Sequence, residues 1–165
     1  MNGLDTIRQA MTAFLTEQGV AAVTAWPDET RTRRDQAVAA VSLRRCEGGP
    51  SGFQDYLGER YNQEAGRWEE LYGKKLTVTF GLDLYAPKTN GADLCQAAFD
   101  RMATAFQQGG PAGLAVESFS RGETAFDQTA GLFHCPAEAV CQCYLYAVAD
   151  EGGTFLDFEV KGVRV

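Results

Sequence analysis

The sequence has no excess of basic residues and no long apolar run. Its 165 residues include 22 acidic and 15 basic side chains, which gives a formal net charge of −7. This balance argues against a nucleic-acid-binding protein that works by neutralising phosphates. No stretch approaches the roughly 20 apolar residues of a membrane-spanning helix, and residues 1–5 lack the features of a secretory signal. We therefore predict a cytosolic protein that binds neither nucleic acid nor membranes.

The sequence also lacks a recognisable catalytic or phosphate-binding motif. The glycine pairs at 48–49 and 109–110 are not followed by the Lys-Ser/Thr of a phosphate-binding loop. The acidic pairs Glu69-Glu70 and Asp157/Glu159 are explained more simply as solvated faces. We predict no catalytic residues, no cofactor and no metal, and hence a protein that is not an enzyme.

The sequence contains one histidine and an odd number of cysteines, namely five. The single His134 is followed by Cys135, Cys141 and Cys143, which are ligand types that zinc prefers. Cys141 and Cys143, however, lie on one face of a predicted strand, and that face continues as apolar, so burial explains them. His134 and Cys135 are adjacent in a strand and should point to opposite faces, which disfavours a nucleophile pair. A small metal-binding protein or enzyme built on these residues remains the alternative.

All the thiols should be reduced, because their number is odd and cytosolic disulfides are rare. The five cysteines are Cys46, Cys95, Cys135, Cys141 and Cys143.

The clearest pattern lies in residues 74–109. Apolar and other residues alternate strictly from Leu76 to Tyr85, which predicts a strand with one buried face. Pro87 should end this strand, and Asn90 should cap the helix that follows. The helix ends at Gly109 and has one apolar stripe, formed by Leu94, Cys95, Ala98, Phe99, Met102, Ala105 and Phe106.

The remaining pattern predicts a helix at 3–18 that stops at Gly19, and several further strands. These strands are expected at 20–26, 37–46, 114–120, 140–148 and 155–163, with a mixed-charge loop at 28–35 and a hairpin turn at 150–153. Residues 121–139 fit no single element. The order predicts a single-domain α+β fold, with an antiparallel or mixed β-sheet packed by two main helices.

Residues 47–73 combine a flexible Gly/Pro joint at 48–52 with a segment that alternates only loosely. We predict a protruding β-hairpin or long loop at 53–73. Tyrosine and tryptophan are favoured at protein interfaces because they are large and amphipathic. The candidate interface residues are Phe53, Tyr56, Tyr61, Trp68 and Tyr72. In the alternative interpretation these rings fold back onto the domain.

Residues 57–87 read LGERYNQEAGRWEELYGKKLTVTFGLDLYAP. Together with the order of elements, this stretch resembles tail terminator proteins of tailed phages and prophages. The resemblance implies a structural subunit of a ring, commonly a hexamer, that caps the tail tube and joins it to the head connector. It also implies partners: further copies of the chain, the tail tube protein and head–tail connector proteins. The expected location is the bacterial cytoplasm during assembly and then the neck of the virion.

Another neck or baseplate structural protein on a similar fold is the closest alternative to a tail terminator. Two parts of the chain depart from the resemblance, namely residues 121–139 and the cysteine-rich strand near residue 141.

Overall fold

The computed structural model describes residues 3–24, 35–150 and 155–161. Within these ranges the chain forms two α-helices and nine strands of one sheet, which confirms the predicted α+β fold with a mixed sheet. In chain order the elements are α1 (Gly3–Glu17), β1 (Ala21–Val23), β2 (Val38–Pro50), a 3₁₀ turn (Phe53–Asp55), β3 (Tyr56–Asn62), β4 (Arg67–Ala86), α2 (Gly91–Gln108), β5 (Ala115–Arg121), β6 (Ala125–Asp127), β7 (Leu132–Cys135), β8 (Ala137–Asp150) and β9 (Phe155–Lys161).

The 20-residue strand β4 is the centre of the sheet, and two strands lie end to end along each of its sides. On one side β2 pairs antiparallel with residues 74–85 and β3 pairs with residues 67–72. On the other side β8 pairs with residues 69–81 and β7 with residues 84–86. One long strand thus fixes the positions of four others.

The outer strands extend this arrangement. Strand β8 pairs on its far side with β5 and then with β9, both antiparallel. Strand β6 pairs with β7, and β1 lies parallel to β2, which makes the sheet mixed.

The hydrophobic core lies between the two helices and one face of the sheet. The alternating residues of β4 are buried as predicted; they are Leu76, Val78, Phe80, Leu82 and Leu84. From the helices, Met11, Leu15, Cys95 and Met102 are fully buried against this face. The rings of Phe14 and Phe106 stack with centroids 6.2 Å apart and so join the helices to each other. Period two on the strand and period 3.6 on the helices direct these side chains to one shared layer.

The helix ends follow the sequence, with one correction. Helix α1 ends at Glu17, and Gly19 adopts the left-handed conformation (φ 79°) that closes such ends. Asn90 precedes α2 as predicted, but its side chain makes no capping hydrogen bond. Its backbone is itself left-handed, with φ 56°, a conformation that asparagine tolerates better than most residues. The predicted side-chain cap is therefore wrong.

Two strand boundaries differ from the prediction. Strand β2 continues through Gly48 and Gly49 to Pro50 and is paired with β4 along this length, so the predicted flexible joint at 48–52 is wrong over its first three residues. Strand β4 begins at Arg67, nine residues earlier than Leu76. Pairing with β3 and β8 holds this added length in the sheet although its own sequence alternates weakly.

The predicted strand at 20–26 is shorter in the structure, since β1 spans Ala21–Val23. Residues 25–34, 151–154 and 162–165 lie outside the described residues, so most of the loop predicted at 28–35, the turn at 150–153 and the end of the strand at 155–163 are not covered.

Residues 121–139, which fitted no element, form the short pair β6–β7 and the start of β8. The Asp127 carboxylate accepts hydrogen bonds from the backbone N–H groups of Thr129 and Ala130 and so builds the connecting turn. Neither of the two described helices is long and apolar enough to cross a membrane.

Candidate interaction surface

Strands β3 and β4 form an antiparallel hairpin joined by residues 63–66. The Asn62 side-chain oxygen accepts hydrogen bonds from the N–H groups of Glu64 and Ala65, both at 3.0 Å, and so shapes the turn. The pairing places Tyr56 opposite Tyr72 and Tyr61 opposite Trp68. The sequence analysis named these four residues as candidates without pairing them, and the structure arranges them as two cross-strand pairs.

We call the rings of Tyr56, Tyr61, Trp68 and Tyr72 the aromatic surface. The Tyr56 and Tyr72 rings meet edge to face at 5.4 Å, and the Tyr61 and Trp68 rings at 5.5 Å. Tyr61 and Trp68 are each 51% exposed and Tyr56 is 40% exposed, whereas Tyr72 is partly buried. Three of the four rings therefore do not fold back into the core.

The aromatic surface continues the core face of the sheet beyond the helices. Trp68 and Tyr72 are separated from Leu76 by even numbers of residues in one continuous strand, so all three point to the same side. The buried core contributed by β4 begins at Leu76. The side of the sheet that the helices cover near Leu76 thus carries exposed rings near Trp68.

On the opposite face of the hairpin, a buried carboxylate of β4 links the two strands. Glu69, predicted as solvated, is only 3% exposed, which corrects that expectation. It accepts hydrogen bonds of 2.9 Å from Arg60 Nε and from Asn62 Nδ2. These hydrogen bonds, from Asn62 first and then Arg60, lower the pKa of Glu69, so the carboxylate stays ionised. The cross-strand link fixes the register that presents the aromatic surface.

Phe53 lies apart from the aromatic surface, on the turn between β2 and β3, and is 86% exposed. Gln54 and Asp55 in this turn have left-handed backbones, with φ of 53° and 59°. The Asp55 carboxylate contacts Lys74 Nζ, and the hydrogen bond with Lys74 lowers the pKa of Asp55. Strained backbone of this kind persists where surrounding contacts enforce it.

The face of the sheet that points away from the helices carries a polar cluster that the sequence analysis missed. Arg44 Nη2 donates to both carboxylate oxygens of Asp83 at 2.7 Å, and Nη1 donates to Glu138 at 2.6 Å. Burial lowers the pKa of Arg44, but the hydrogen bonds to Glu138 and Asp83 raise it overall. His134 Nε2 lies 3.5 Å from Asp83, and the His134 ring stacks on Tyr85 at 4.8 Å.

A β-bulge explains why Arg44 reaches this cluster. Leu43 pairs with Phe80 and Arg45 pairs with Thr79, so Arg44 is an extra residue in β2. Bulges commonly re-aim a side chain. The two ion pairs of Arg44 join β2 to β4 and to β8. Because both carboxylates already bind the guanidinium of Arg44, the cluster offers no free cation to a ligand.

The alternative site built from His134 and cysteines is not assembled. Cys135 pairs with the core residue Leu84, while His134 pairs with Tyr85, so the two side chains lie on opposite faces as predicted. Cys141 and Cys143 are fully buried on the core side, which confirms the predicted placement. Burial raises the pKa of Cys141 to about 12 and that of Cys143 to about 11, which disfavours thiolates. In the described ranges no three His, Cys, Asp or Glu side chains converge to hold a metal ion.

No protein-family model matches the sequence, and a comparison with curated proteins gives no significant match. The function must therefore be inferred from the chain's own residues. Among the exposed large apolar side chains of the described ranges, all except Phe126 lie on the β3–β4 hairpin or on the turn before it.

Proposed function

We propose that the protein is a structural subunit of a phage or prophage tail, similar to tail terminators. In this proposal it forms a ring, with six subunits as the expected number, that caps the tail tube and joins it to head–tail connector proteins. The observation that carries the proposal is the exposed aromatic surface. Three of its four rings, those of Tyr61, Trp68 and Tyr72, lie in the segment 57–87, whose sequence also carries the resemblance to tail terminators.

The aromatic surface has the composition of an interface anchor. Buried Tyr and Trp rings contribute large contact areas, and binding energy concentrates in a few such rings. A stable interface buries about 800 Å² on each partner. Complete burial of an aromatic side chain removes roughly 150–250 Å² from water. Because three of these rings are about half exposed and Tyr72 is partly buried, the four would supply only part of such a contact and neighbouring residues the rest.

The pairing of β3 with β4 suits the aromatic surface to association with a partner. The aromatic side chains lie on paired strands, so little backbone entropy is lost when a partner binds them. In a closed ring each subunit presents this surface to a different surface of its neighbour, which is a heterologous contact.

The proposal includes no catalytic role and no cofactor. The partners would be further copies of the chain, the tail tube protein and connector proteins, first in the bacterial cytoplasm and then in the virion neck. Another neck or baseplate protein would use the same aromatic surface, and the identity of the bound tail component distinguishes the two.

Replacing Tyr61 and Trp68 together by alanine tests the proposal. Both rings are half exposed, so the variant should keep its circular dichroism spectrum while self-association, followed by sedimentation velocity, weakens by tenfold or more, as expected for about 1.4 kcal/mol. Phe126→Ala is the matched control, since Phe126 is 37% exposed and lies on β6. A folded double variant that associates like the unaltered protein would remove the main support for the ring.

A further inference from the structure

A hollow of about 420 Å³ lies where β2 ends and β3 begins, beside β4. Its walls include Pro50, Tyr56, Leu57, Leu71 and Tyr144, and Lys75 lies among them. The volume falls within the range of about 300–1,000 Å³ that is typical of small-molecule sites. The lining has the usual composition of such sites, mostly apolar with one charged group.

The walls of the hollow are held by features of the main chain. Tyr56 pairs with Tyr72 and Gly58 pairs with Leu71, so Leu57, which lines the hollow, is the extra residue of a bulge. The Ser51 hydroxyl donates a hydrogen bond to the Gly73 carbonyl and so fastens the segment between β2 and β3 to β4. The hollow is therefore a fixed feature of the sheet rather than a gap between loose side chains.

Lys75 gives the hollow its charge preference. Consecutive strand residues point to opposite faces, and Lys74 uses its ammonium group to bind Asp55. The side chain of Lys75, in contrast, makes no ion pair or hydrogen bond with any other residue of the described ranges. An ammonium group beside Leu71 and Tyr144 favours a ligand with a negative charge, because charge-assisted hydrogen bonds are the stronger ones.

The apolar walls define the rest of the ligand. Two tyrosines and two leucines line the hollow, and tyrosine side chains pack well against aromatic rings. We propose that this hollow is a binding site for a small aromatic monoanion, whose ring system contacts Leu57, Leu71 and Tyr144 and whose carboxylate or sulfonate binds Lys75. The site shares Tyr56 with the aromatic surface, but neither Tyr61 nor Trp68 lines it.

Two fluorescent probes test the proposal. The probes are 8-anilinonaphthalene-1-sulfonate and its neutral analogue N-phenyl-1-naphthylamine, which has the same rings without the sulfonate. The unaltered protein should bind one equivalent of the sulfonate and bind it more tightly than the neutral analogue.

Three substitutions locate the binding. Lys75→Gln should weaken sulfonate binding about tenfold and leave the neutral analogue unchanged, because only the charged hydrogen bond is lost. Lys88→Gln is the control, since Lys88 is exposed and does not line the hollow, and it should leave both affinities unchanged. Leu71→Ala should weaken both probes, since it removes a wall that they share.

The same titrations can overturn the proposal. It fails if the unaltered protein binds neither probe, if Lys75→Gln and Lys88→Gln behave alike, or if Trp68→Ala removes binding that Leu71→Ala leaves intact. Thermal unfolding of each variant serves as the folding control, and Lys75→Gln carries the test alone if Leu71→Ala is poorly folded. Sedimentation of the same variants reports separately on ring formation, which these lysine substitutions should not change.

Discussion

Arg44 lies directly over Gly81 on the face of the sheet away from the helices. A Cβ atom at position 81 would stand 2.7 Å from Arg44 Nε and 2.5 Å from the Ser42 hydroxyl. The missing side chain lets the Arg44 guanidinium reach across the sheet to Asp83 and Glu138. A glycine in the middle of a strand is therefore required by a side chain from the neighbouring strand.

Gly81→Ala should destabilise the protein by about 1–3 kcal/mol, because the added methyl group displaces Arg44 from its two carboxylates. The free energy of unfolding from urea denaturation measures the effect. Gly49→Ala is the matched control, since a Cβ at position 49 of β2 meets no atom within 4 Å. Equal stabilities of the two variants would show that Arg44 moves without cost.

Phe80→Ala should cost about 3–5 kcal/mol of stability, because the Phe80 ring is fully buried at the centre of the core. Phe99→Ala should cost less. Phe99 was predicted to share the buried stripe of α2 but is only partly buried, with Arg121 5.6 Å from its ring centre. Urea denaturation of both variants should give clearly different midpoints, and similar midpoints would contradict the assigned faces.

The stability contributed by Glu69 should depend on pH. Its pKa is lowered in the folded protein, so its contribution is complete above the unfolded value of about 4.3 and is lost as the pH falls through the folded value. Glu69→Gln should therefore be less stable than the unaltered protein at pH 7, and the difference should shrink in acid. Denaturation series at several pH values check this, and a difference independent of pH would exclude an ionised, hydrogen-bonded Glu69.

The native protein should have one readily modified thiol. Cys46 is exposed, whereas Cys95, Cys135, Cys141 and Cys143 are buried. Partial burial raises the pKa of Cys46, so its modification should accelerate with rising pH. Reaction with a chromogenic disulfide should titrate one thiol in buffer and five in denaturant, and Cys46→Ser should abolish the native reaction. Rapid reaction of more than one native thiol would contradict the burial of the other four.

The amino-acid sequence by itself determined the two helices and the centre of the longest strand. The alternation from Leu76 to Leu84 and the apolar stripe of α2 identified the two sides of the core, and burial confirms them except at Leu94 and Phe99, which are partly buried. The sequence also placed Cys141 and Cys143 on the core face, because successive residues of a strand point to opposite faces and these two are separated by one residue. Such conclusions need only the spacing of residues along one element.

The tertiary structure alone decided which distant residues meet. The cluster of Arg44, Asp83 and Glu138 joins three strands far apart in the chain, and it depends on a bulge that shifts the register at one residue. The length of β4, the aromatic pairs of the hairpin and the hollow at Lys75 likewise follow from how β2, β3 and β8 align along β4. Hydrophobic periodicity specifies which face of a strand is buried, but register and the order of strands depend on long-range pairing that no local pattern encodes.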